Sequence, residues 1–540
     1  MSEDPVTDKR PEIKGPQAGR DGTAMSNTKT IAKNTAWYGL ENAINAILTV
    51  FTSIAIARTL GPTKMGYIIY VTWIASVVGD LGGLGIPATT RKYMAEFLGK
   101  GDRGTARYIY LRTFFLQASL ATLATGSLIF WVFRDATPDY RLASVLIVLS
   151  IWPAMVNNIS ASANVASEEL SKNLPASAIS ISVFFVMILA TVLFHWGVIG
   201  VGASMLLMRL TDFLVRFFPT MRRILAWETL HVQPLGLSNR MLKFAWLSVA
   251  ILVVEIIVWQ RSEFILLKHL CSDIRQVAYY SVAFSMAEYL LISASIFGSA
   301  SGTTIYAQYG RDKSRIPDIA ASAFRYLALT SIPLHFISAA LAAPALLFLY
   351  GNQYKGAAMV ATIAPLLCMP KAFIGPVRSL LQSHERQSFV IGATVFAGII
   401  DLSVAWYLIP AHGAVGACIG SGAAQVVAIG LMWAIAIHLY KVKLPWVLIA
   451  KVTFISLLAS LTAHFFSAML TPLLGILCGG GASLIVLFGL IYMMRVLKPE
   501  DGARFTVLTH SLPARLARPV NNILLSLIRP KLETVSTTNV

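Results

Sequence analysis

Long apolar segments, separated by short polar ones, recur along almost the whole chain. Each holds about 20 residues, long enough to cross roughly 30 Å of bilayer hydrocarbon as a helix. The pattern therefore predicts an all-α, polytopic membrane protein with about 14 transmembrane helices. The predicted spans are 34–57, 65–86, 108–133, 142–164, 174–195, 198–221, 242–266, 277–306, 326–349, 357–382, 389–409, 413–438, 446–469 and 473–494.

The positions of lysine and arginine predict the orientation of these spans. If the N-terminus is cytoplasmic, the inner loops and both tails hold about 31 Lys/Arg and the outer loops about seven. Both termini are therefore expected in the cytoplasm. The outer loops are also short, which argues against a membrane glycan polymerase or ligase, because such an enzyme needs a larger extracytoplasmic loop for its catalytic site.

Composition agrees with this picture and excludes several classes of protein. The chain is 56% hydrophobic and only 13% charged, too apolar for a soluble protein of 540 residues. The net charge of +18 is explained by topology and anionic lipids, so no nucleic-acid partner is expected. The four cysteines lack metal-ligand spacing, and no catalytic or nucleotide-binding motif occurs. The chain is expected to be no enzyme and to hold no cofactor.

Two halves of the chain resemble each other. "SEELSKN" follows the fourth span and "SHERQSF" the tenth, 216 residues later, while "GVIGVGAS" and "GAVGACIG" open the sixth and twelfth spans at the same offset. Because six spans separate each pair, the halves would be parallel repeats, which are typical of transporters. The predicted regions are a disordered cytoplasmic tail (1–33), two six-helix lobes (34–224 and 225–440), two additional helices (441–497) and a basic interfacial tail (498–540).

The sequence also resembles a known family. The segments "ARTLGPTKMGYIIYVTWIASVVGDLGGLGIPATTRKYMAEFLGKGD", "VAYYSVAFSMAEYL", "GNQYKGAAMVATIAPLL" and "LIPAHGAVGACIGSGAAQ" are similar to bacterial polysaccharide and O-antigen flippases. These form the polysaccharide transporter branch of the multidrug/oligosaccharidyl-lipid/polysaccharide exporter superfamily. The resemblance implies two six-helix lobes around a central cavity that opens alternately to each side. The implied cargo is an oligosaccharide on a polyprenyl pyrophosphate, and the implied location is a bacterial inner membrane. The implied partners are membrane lipids and polysaccharide polymerase or export machinery.

The tenth span, "APLLCMPKAFIGPVRSLLQ", is the richest in candidate chemistry. Its prolines and glycine make a continuous helix unfavourable, and a broken helix at membrane depth is tolerated where it lines a cavity. Lys371 and Arg378 lie seven residues apart, on one face of a helix, where they could bind a pyrophosphate. The alternative is that Arg378 reaches the inner headgroups and Lys371 pairs with an acid. Pro370, Gly375 and Pro376 are candidate hinge residues.

Other intramembrane charges are expected to face a cavity or a partner, because burying them in lipid is costly. Arg209 and Arg261 are further candidates for binding the substrate, although Asp212 could neutralise Arg209 or Arg216 locally. Asp80 and Arg91 flank a glycine cluster where either a gate or close helix packing is plausible. The candidates for ion coupling or for ion pairing are Glu255, Glu288, Asp401 and Asp212.

Three alternatives to a polysaccharide-precursor flippase stay open. A lipid II flippase has the same number of helices, and a drug/cation antiporter of the same superfamily would prefer carboxylates and aromatic residues to cations. A non-transporting scaffold is the third. The energy source is also open between a proton gradient, a sodium gradient and the membrane potential, because moving one charge across about 100 mV is worth about 2.3 kcal/mol.

Overall fold

The computed structural model describes residues 20–229, 236–259, 261–497 and 501, with side chains described from Leu48 onward. The predictions for residues 1–19 and for the tail beyond 501 lie outside these residues. The described part consists of helices joined by short turns, without a β-strand. The prediction of a polytopic, all-α membrane protein is confirmed.

The first seven helices form what we call the N lobe, and the next eight form the C lobe. α1 begins at Arg20, within the stretch predicted as a tail. The N-lobe helices are α1 (Arg20–Gly82), α2 (Ile86–Gly99), α3 (Arg103–Asp135), α4 (Pro138–Leu149), α5 (Ile151–Ala166), α6 (Leu174–Leu193) and α7 (Gly197–Leu225).

The C lobe continues the chain after α7. Its helices are α8 (Leu237–Trp259), α9 (Glu263–Leu270), α10 (Arg275–Arg311), α11 (Ile316–Tyr350), α12 (Ala358–Cys368), α13 (Ile374–Ser383), α14 (Gln387–His412) and α15 (Ala414–Tyr440). Two further helices, α16 (Trp446–Met469) and α17 (Pro472–Met493), pack against each other and against α11.

Thirteen described helices are long and apolar enough to cross a membrane. Twelve correspond to the third to fourteenth predicted spans, and the remaining one, Leu48–Gly82, contains parts of the first two. Gly61 interrupts that helix with φ 70° and ψ 170°, just before Pro62. The backbone thus breaks at the Gly-Pro pair that separates the first two predicted spans, as expected of residues that disfavour a helix interior.

The two lobes repeat an unusual backbone turn. Glu168 and Glu385 both have φ 59°, in the left-handed region that non-glycine residues seldom adopt. Each follows a helix and donates its N–H three residues back, to Val165 and Gln382 respectively, with a distance of 3.0 Å in both cases. The turn therefore recurs 217 residues later, one residue from the offset that the sequence suggests. This supports the repeat, while the domain boundaries themselves stay predictions.

A buried ion pair attaches the end of the described chain to α11. Asp501 accepts hydrogen bonds from both terminal nitrogens of Arg325, at 2.6 and 2.7 Å, and from the Tyr326 hydroxyl at 2.8 Å. The Asp501 side chain is almost fully buried. A bidentate pair of this kind fixes both distance and direction. It holds the start of the basic tail against the C lobe.

Replacing Asp501 with alanine is expected to destabilise the protein by on the order of 3 kcal/mol, because it leaves a buried guanidinium without its carboxylate. Thermal unfolding of the purified protein in detergent measures the effect as a lower midpoint. Asp135→Ala is the control, since Asp135 and its partner Arg134 are both largely exposed and such pairs contribute little. Equal midpoints for the two variants would contradict a stabilising role for this ion pair.

Candidate functional site

The tenth predicted span is broken in the structure, as its sequence suggests. α12 ends at Cys368, a 3₁₀ segment covers Met369–Phe373, and α13 begins at Ile374. Lys371 lies in the 3₁₀ segment and Arg378 in α13. Gly375 touches Gly298 of α10 so closely that a Cβ at Gly375 would lie 2.6 Å from the Cα of Gly298. The glycine is therefore needed for helix packing, and the hinge role of Pro370, Gly375 and Pro376 stays a prediction.

The seventh predicted span is broken as well, which the sequence does not predict. α8 ends at Trp259 and α9 begins at Glu263. Between them, Arg261 has φ 59°, a left-handed conformation that costs energy for a residue with a side chain. No proline or glycine marks this break. Irregular backbone at this depth is tolerated where it lines a cavity or is buried in protein. The C lobe therefore contains two interrupted membrane helices, α8–α9 and α12–α13.

The two breaks bring five predicted residues together, which we call the C-lobe charge cluster: Glu255, Arg261, Glu288, Lys371 and Arg378. Glu288 of α10 pairs with Arg261 and lies 3.9 Å from the Lys371 ammonium. Arg378 lies 3.5 Å from Glu255 of α8. Arg261 and Lys371 thus share Glu288, and Arg378 pairs with Glu255. With three cations and two carboxylates, the cluster carries one net positive charge.

The cluster borders open space rather than a packed core. The Arg378 and Lys371 side chains are 44% and 27% exposed. Arg378 and Glu255 line a cavity of about 250 Å³ between α8, α13 and α14. The Lys371 ammonium also lies 5.3 Å from the centre of the Trp259 ring, a distance at which an aromatic face attracts a cation. Charged groups placed in this way within membrane helices favour a water-filled cavity or an anionic ligand.

A polar cavity of about 330 Å³ lies within the N lobe. Arg209, Asp212 and Asp80 line it, together with exposed Asn158. Asp212 pairs with Arg216 at 2.9 Å. In the described part of the chain Arg209 has no ion pair, so it brings a positive charge to the wall of this cavity. Of the two arginines that the sequence offers as partners for Asp212, the one that forms the ion pair is therefore Arg216.

Asp80 and Arg91 lie in different places. Arg91 lines a cavity of about 650 Å³ at the predicted inner side, with Arg103, Glu168 and Trp227. Asp80 belongs to the N-lobe cavity. A gate that uses both residues stays a prediction, but the two side chains do not border a common cavity in this conformation.

Asp401 lies apart from the C-lobe charge cluster, next to Glu263. Both carboxylates are only 1% exposed, and their oxygens are buried without a hydrogen-bond partner among the described residues. The two acids are electrostatic neighbours, and Ser421 and Tyr280 lie beside Glu263. No lysine or arginine pairs with either carboxylate among the described residues. The sequence shows two isolated acids 138 residues apart, so only the packing of α9 against α14 reveals the pair.

The lobes interlock at the predicted outer side through what we call the outer latch: Arg58, Gly61, Gln353 and Tyr354. Arg58 donates to the carbonyl oxygen of Leu349, at the end of α11, at 2.7 Å. In return, Gln353 donates to the carbonyl oxygen of Arg58 at 3.0 Å, and Tyr354 donates to that of Ala57 at 3.3 Å. Each lobe thus donates hydrogen bonds to backbone carbonyl groups at a helix end of the other lobe, groups that have no partner within their own helix.

Close backbone packing seals the same side. Gly66 of α1 meets the carbonyl group of Ile274, where any Cβ would overlap the oxygen. Deeper in the membrane, Trp73 of α1 packs edge-on against Phe264 of α9, with ring centres 6.1 Å apart. The described structure is therefore closed between the lobes at the predicted outer side.

At the predicted inner side, α8 contacts α2 of the N lobe. Arg240 binds Glu96 at 3.0 Å, and Phe244 packs against Tyr93 with ring centres 6.1 Å apart. The hydrogen bond from Lys100, with a second from Arg240, lowers the pKa of Glu96 from its ordinary value, so this carboxylate stays ionised at neutral pH. We call this contact the inner joint. It also includes Lys92 over the Phe244 ring, and Gly85 packs so closely that a Cβ there would lie 2.6 Å from the carbonyl oxygen of Ala245.

The comparisons agree with this architecture. No protein-family model and no curated protein matches the chain. It is similar to the lipid II flippase MurJ in an inward closed conformation, with a TM-score of 0.65 and 13% identity over 83% of this chain and 97% of that one. It is also similar to a multidrug resistance MATE family transporter of the MOP superfamily in an inward-facing conformation, with a TM-score of 0.60 and 15% identity over 74% and 95% of the two chains.

A third similar structure is that of MATE in complex with MaL6, with a TM-score of 0.54 and 14% identity over 77% of this chain and 97% of that chain. At these identities the likeness establishes the fold, which is the one shared by MurJ and MATE transporters. The superfamily that the sequence resembles and the role of a transporter stay predictions. The polysaccharide branch stays a prediction.

Proposed function

We propose that this protein is a flippase that moves a polyprenyl-pyrophosphate-linked oligosaccharide from the cytoplasmic to the outer leaflet of a bacterial inner membrane by alternating access. The supporting observation is the C-lobe charge cluster, in which Arg261, Lys371 and Arg378 share two carboxylates. A pyrophosphate needs cations at membrane depth, and arginine can bind it through two parallel hydrogen bonds. The substrate's phosphates would displace Glu255 and Glu288 from these cations.

The position of the outer latch supports entry from the cytoplasm. With the outer side closed between the lobes, substrate can reach the cavities only from the inner side or laterally from the inner leaflet. The inner half of α10 also carries an exposed row of hydroxyl groups at Ser295, Ser299 and Thr303. Their spacing of four residues puts them on one helix face, and a polar face within a membrane helix favours contact with water.

The second part of the proposal concerns Glu263 and Asp401, which pair with no lysine or arginine among the described residues. Glu263 and Asp401 cannot both be ionised in a dry site, because like charges at close range strongly oppose each other. The pair must therefore hold a proton or a bound cation such as Na⁺. We propose that the release of this ion couples a gradient to the movement of the lobes, since α9 also contacts α1 of the N lobe.

Replacing Asp401 with asparagine is expected to abolish the response of flipping to an imposed proton or sodium gradient. Flipping driven by membrane potential alone should persist, because the C-lobe charge cluster is intact. Initial rates in proteoliposomes with each gradient imposed separately measure this, with Asp135→Asn as an exposed control. An undiminished gradient response in Asp401→Asn would remove the acid pair from coupling.

The alternatives predict different ligands. A drug/cation antiporter would be favoured by the Glu263–Asp401 pair, and a lipid II flippase shares the fold of this chain. A ligand that binds the folded state raises its stability with concentration. We therefore expect a polyprenyl-pyrophosphate oligosaccharide to raise the midpoint of thermal unfolding, and a lipophilic cation to leave it unchanged. The reverse result would favour drug transport, and stabilisation by lipid II alone would favour a peptidoglycan precursor.

A further inference from the structure

An apolar groove of about 340 Å³ runs between α3 of the N lobe and α8 of the C lobe, beside the inner joint. Leu116 and Leu120 form one wall, and Leu242, Trp246 and Val249 form the other. Leu116, Leu242 and Trp246 are 49%, 60% and 64% exposed, so no part of the described chain covers them. The groove shares no lining residue with the three cavities described above.

The length of the groove matches one leaflet of a bilayer. Its α8 wall extends over the twelve residues from Ser238 to Val249, about 16 Å along a helix. This is about half of the roughly 30 Å of hydrocarbon in a bilayer. Both α3 and α8 begin at the predicted inner side, so the groove starts near the inner headgroups and ends near the middle of the membrane.

A cation stands at the headgroup end of the groove. Arg112 lines it and donates from one terminal nitrogen to the Tyr108 hydroxyl at 2.7 Å and to the Ser238 hydroxyl at 3.0 Å. Within the described residues no carboxylate pairs with Arg112, so hydroxyl groups orient its charge without neutralising it. A guanidinium has five N–H donors, and those not used here remain able to bind an anion.

The surroundings of the groove mouth are also positive. Lys92 lies 4.0 Å from the centre of the Phe244 ring on α8, and Arg240 binds Glu96, which Lys100 binds as well. Glu96 therefore pairs with two cations, and Lys92 adds a further positive charge to the inner joint. An apolar groove with a positive mouth complements a lipid that has a negatively charged headgroup.

We propose that this groove binds an anionic phospholipid of the inner leaflet, with its phosphate on Arg112 and one acyl chain against Leu116, Leu242 and Trp246. The lipid would fill the gap between the lobes beside the inner joint. It would thereby stabilise the conformation in which the outer side is closed. This site does not depend on the identity of the transported substrate.

Quenching of Trp246 fluorescence by brominated lipids tests the proposal. The full-length protein in detergent is titrated with brominated phosphatidylglycerol or brominated phosphatidylcholine. The signal from Trp246 is the difference between the wild-type protein and Trp246→Phe. We expect half-maximal quenching of Trp246 at about fivefold lower phosphatidylglycerol than phosphatidylcholine, because one nearby cation favours an anionic lipid by about that factor.

Variants of Arg112 decide whether the site is built around this cation. Arg112→Gln should lose the preference for phosphatidylglycerol, and Arg112→Lys should keep it even if glutamine impairs folding. Arg134→Gln, at the other end of α3 and largely exposed, is the matched control and should behave as wild type. Equal quenching by both lipids in the wild-type protein would overturn the proposal, as would a preference that survives Arg112→Gln. Stronger quenching by a brominated polyprenyl phosphate than by phosphatidylglycerol would assign the groove to the substrate's tail and overturn it too.

Discussion

Flipping of a polyprenyl-pyrophosphate oligosaccharide is expected to slow about 10- to 100-fold when Lys371 is replaced by alanine. A hydrogen bond to a charged group contributes about 1.5–3 kcal/mol, and each 1.36 kcal/mol is a factor of ten in rate. Lys371 lies in the break between α12 and α13 and shares Glu288 with Arg261. Its removal leaves the cluster with two cations and two carboxylates, and so without its net positive charge.

The matched control is Lys443→Ala, because Lys443 is an exposed lysine in the segment after α15. It should flip the substrate at the wild-type rate. Both variants should insert and purify like the wild-type protein, since Lys371 is 27% exposed and its carboxylate retains Arg261. Initial flipping rates at matched amounts of folded protein measure the difference. Wild-type flipping by Lys371→Ala would take this lysine out of the mechanism.

Adding a methyl group at Gly66 is expected to prevent the outer side from closing. In Gly66→Ala the new Cβ would overlap the carbonyl oxygen of Ile274, and backbone atoms cannot move aside as a flexible side chain can. The lobes would separate at the outer latch, and a cysteine placed at Ser76 in the N-lobe cavity should react with a membrane-impermeant thiol reagent added from outside. We expect the flipping rate to fall at least as far as in Lys371→Ala, because alternating access requires the state closed at the outer side, which this variant cannot form.

Gly126→Ala provides the control for this variant. Gly126 lies in α3 and a Cβ there would meet nothing within 4 Å, so the same methyl group should change neither flipping nor labelling. The labelling is measured in a background without Cys478, which is exposed. Slow flipping by Gly66→Ala without increased labelling from outside would show that Gly66 acts through packing alone and would contradict the latch.

Much of the fold follows from the sequence, because apolar length and positive charge are local properties. Each of the twelve later spans corresponds to one described membrane-crossing segment, although α4 and α5 together form one of these segments and α12 and α13 another. The break in the tenth span follows from Pro370 and Gly375, residues that oppose a continuous helix. The repeat is detectable because Gly197, the first residue of α7, and Gly413, just before α15, have φ 60° and 53° and stand at the start of glycine-rich helices.

The break in the seventh span could not be predicted in this way. Arg261 adopts a left-handed conformation through its surroundings, chiefly Glu288 and Ser285, which hold its guanidinium. The pairing of Glu263 with Asp401 likewise depends on helices far apart in sequence. Periodicity identifies which residues lie within the membrane, but it does not say which of them face each other. The candidate cation Arg209 lies in the N lobe, apart from Arg261, Lys371 and Arg378 in the C lobe.

The most direct test of the proposed function is transbilayer movement of a labelled polyprenyl-pyrophosphate oligosaccharide in liposomes containing the purified protein. Protein-free liposomes and the Lys371→Ala variant are measured beside it, with and without an imposed potential. Wild-type protein should move the lipid faster than both, and faster still when the side that the substrate leaves is negative, because two negative charges gain about 4–5 kcal/mol over about 100 mV. Movement no faster than in protein-free liposomes, with folded protein and several glycans tested, would contradict the proposal that this chain is a flippase.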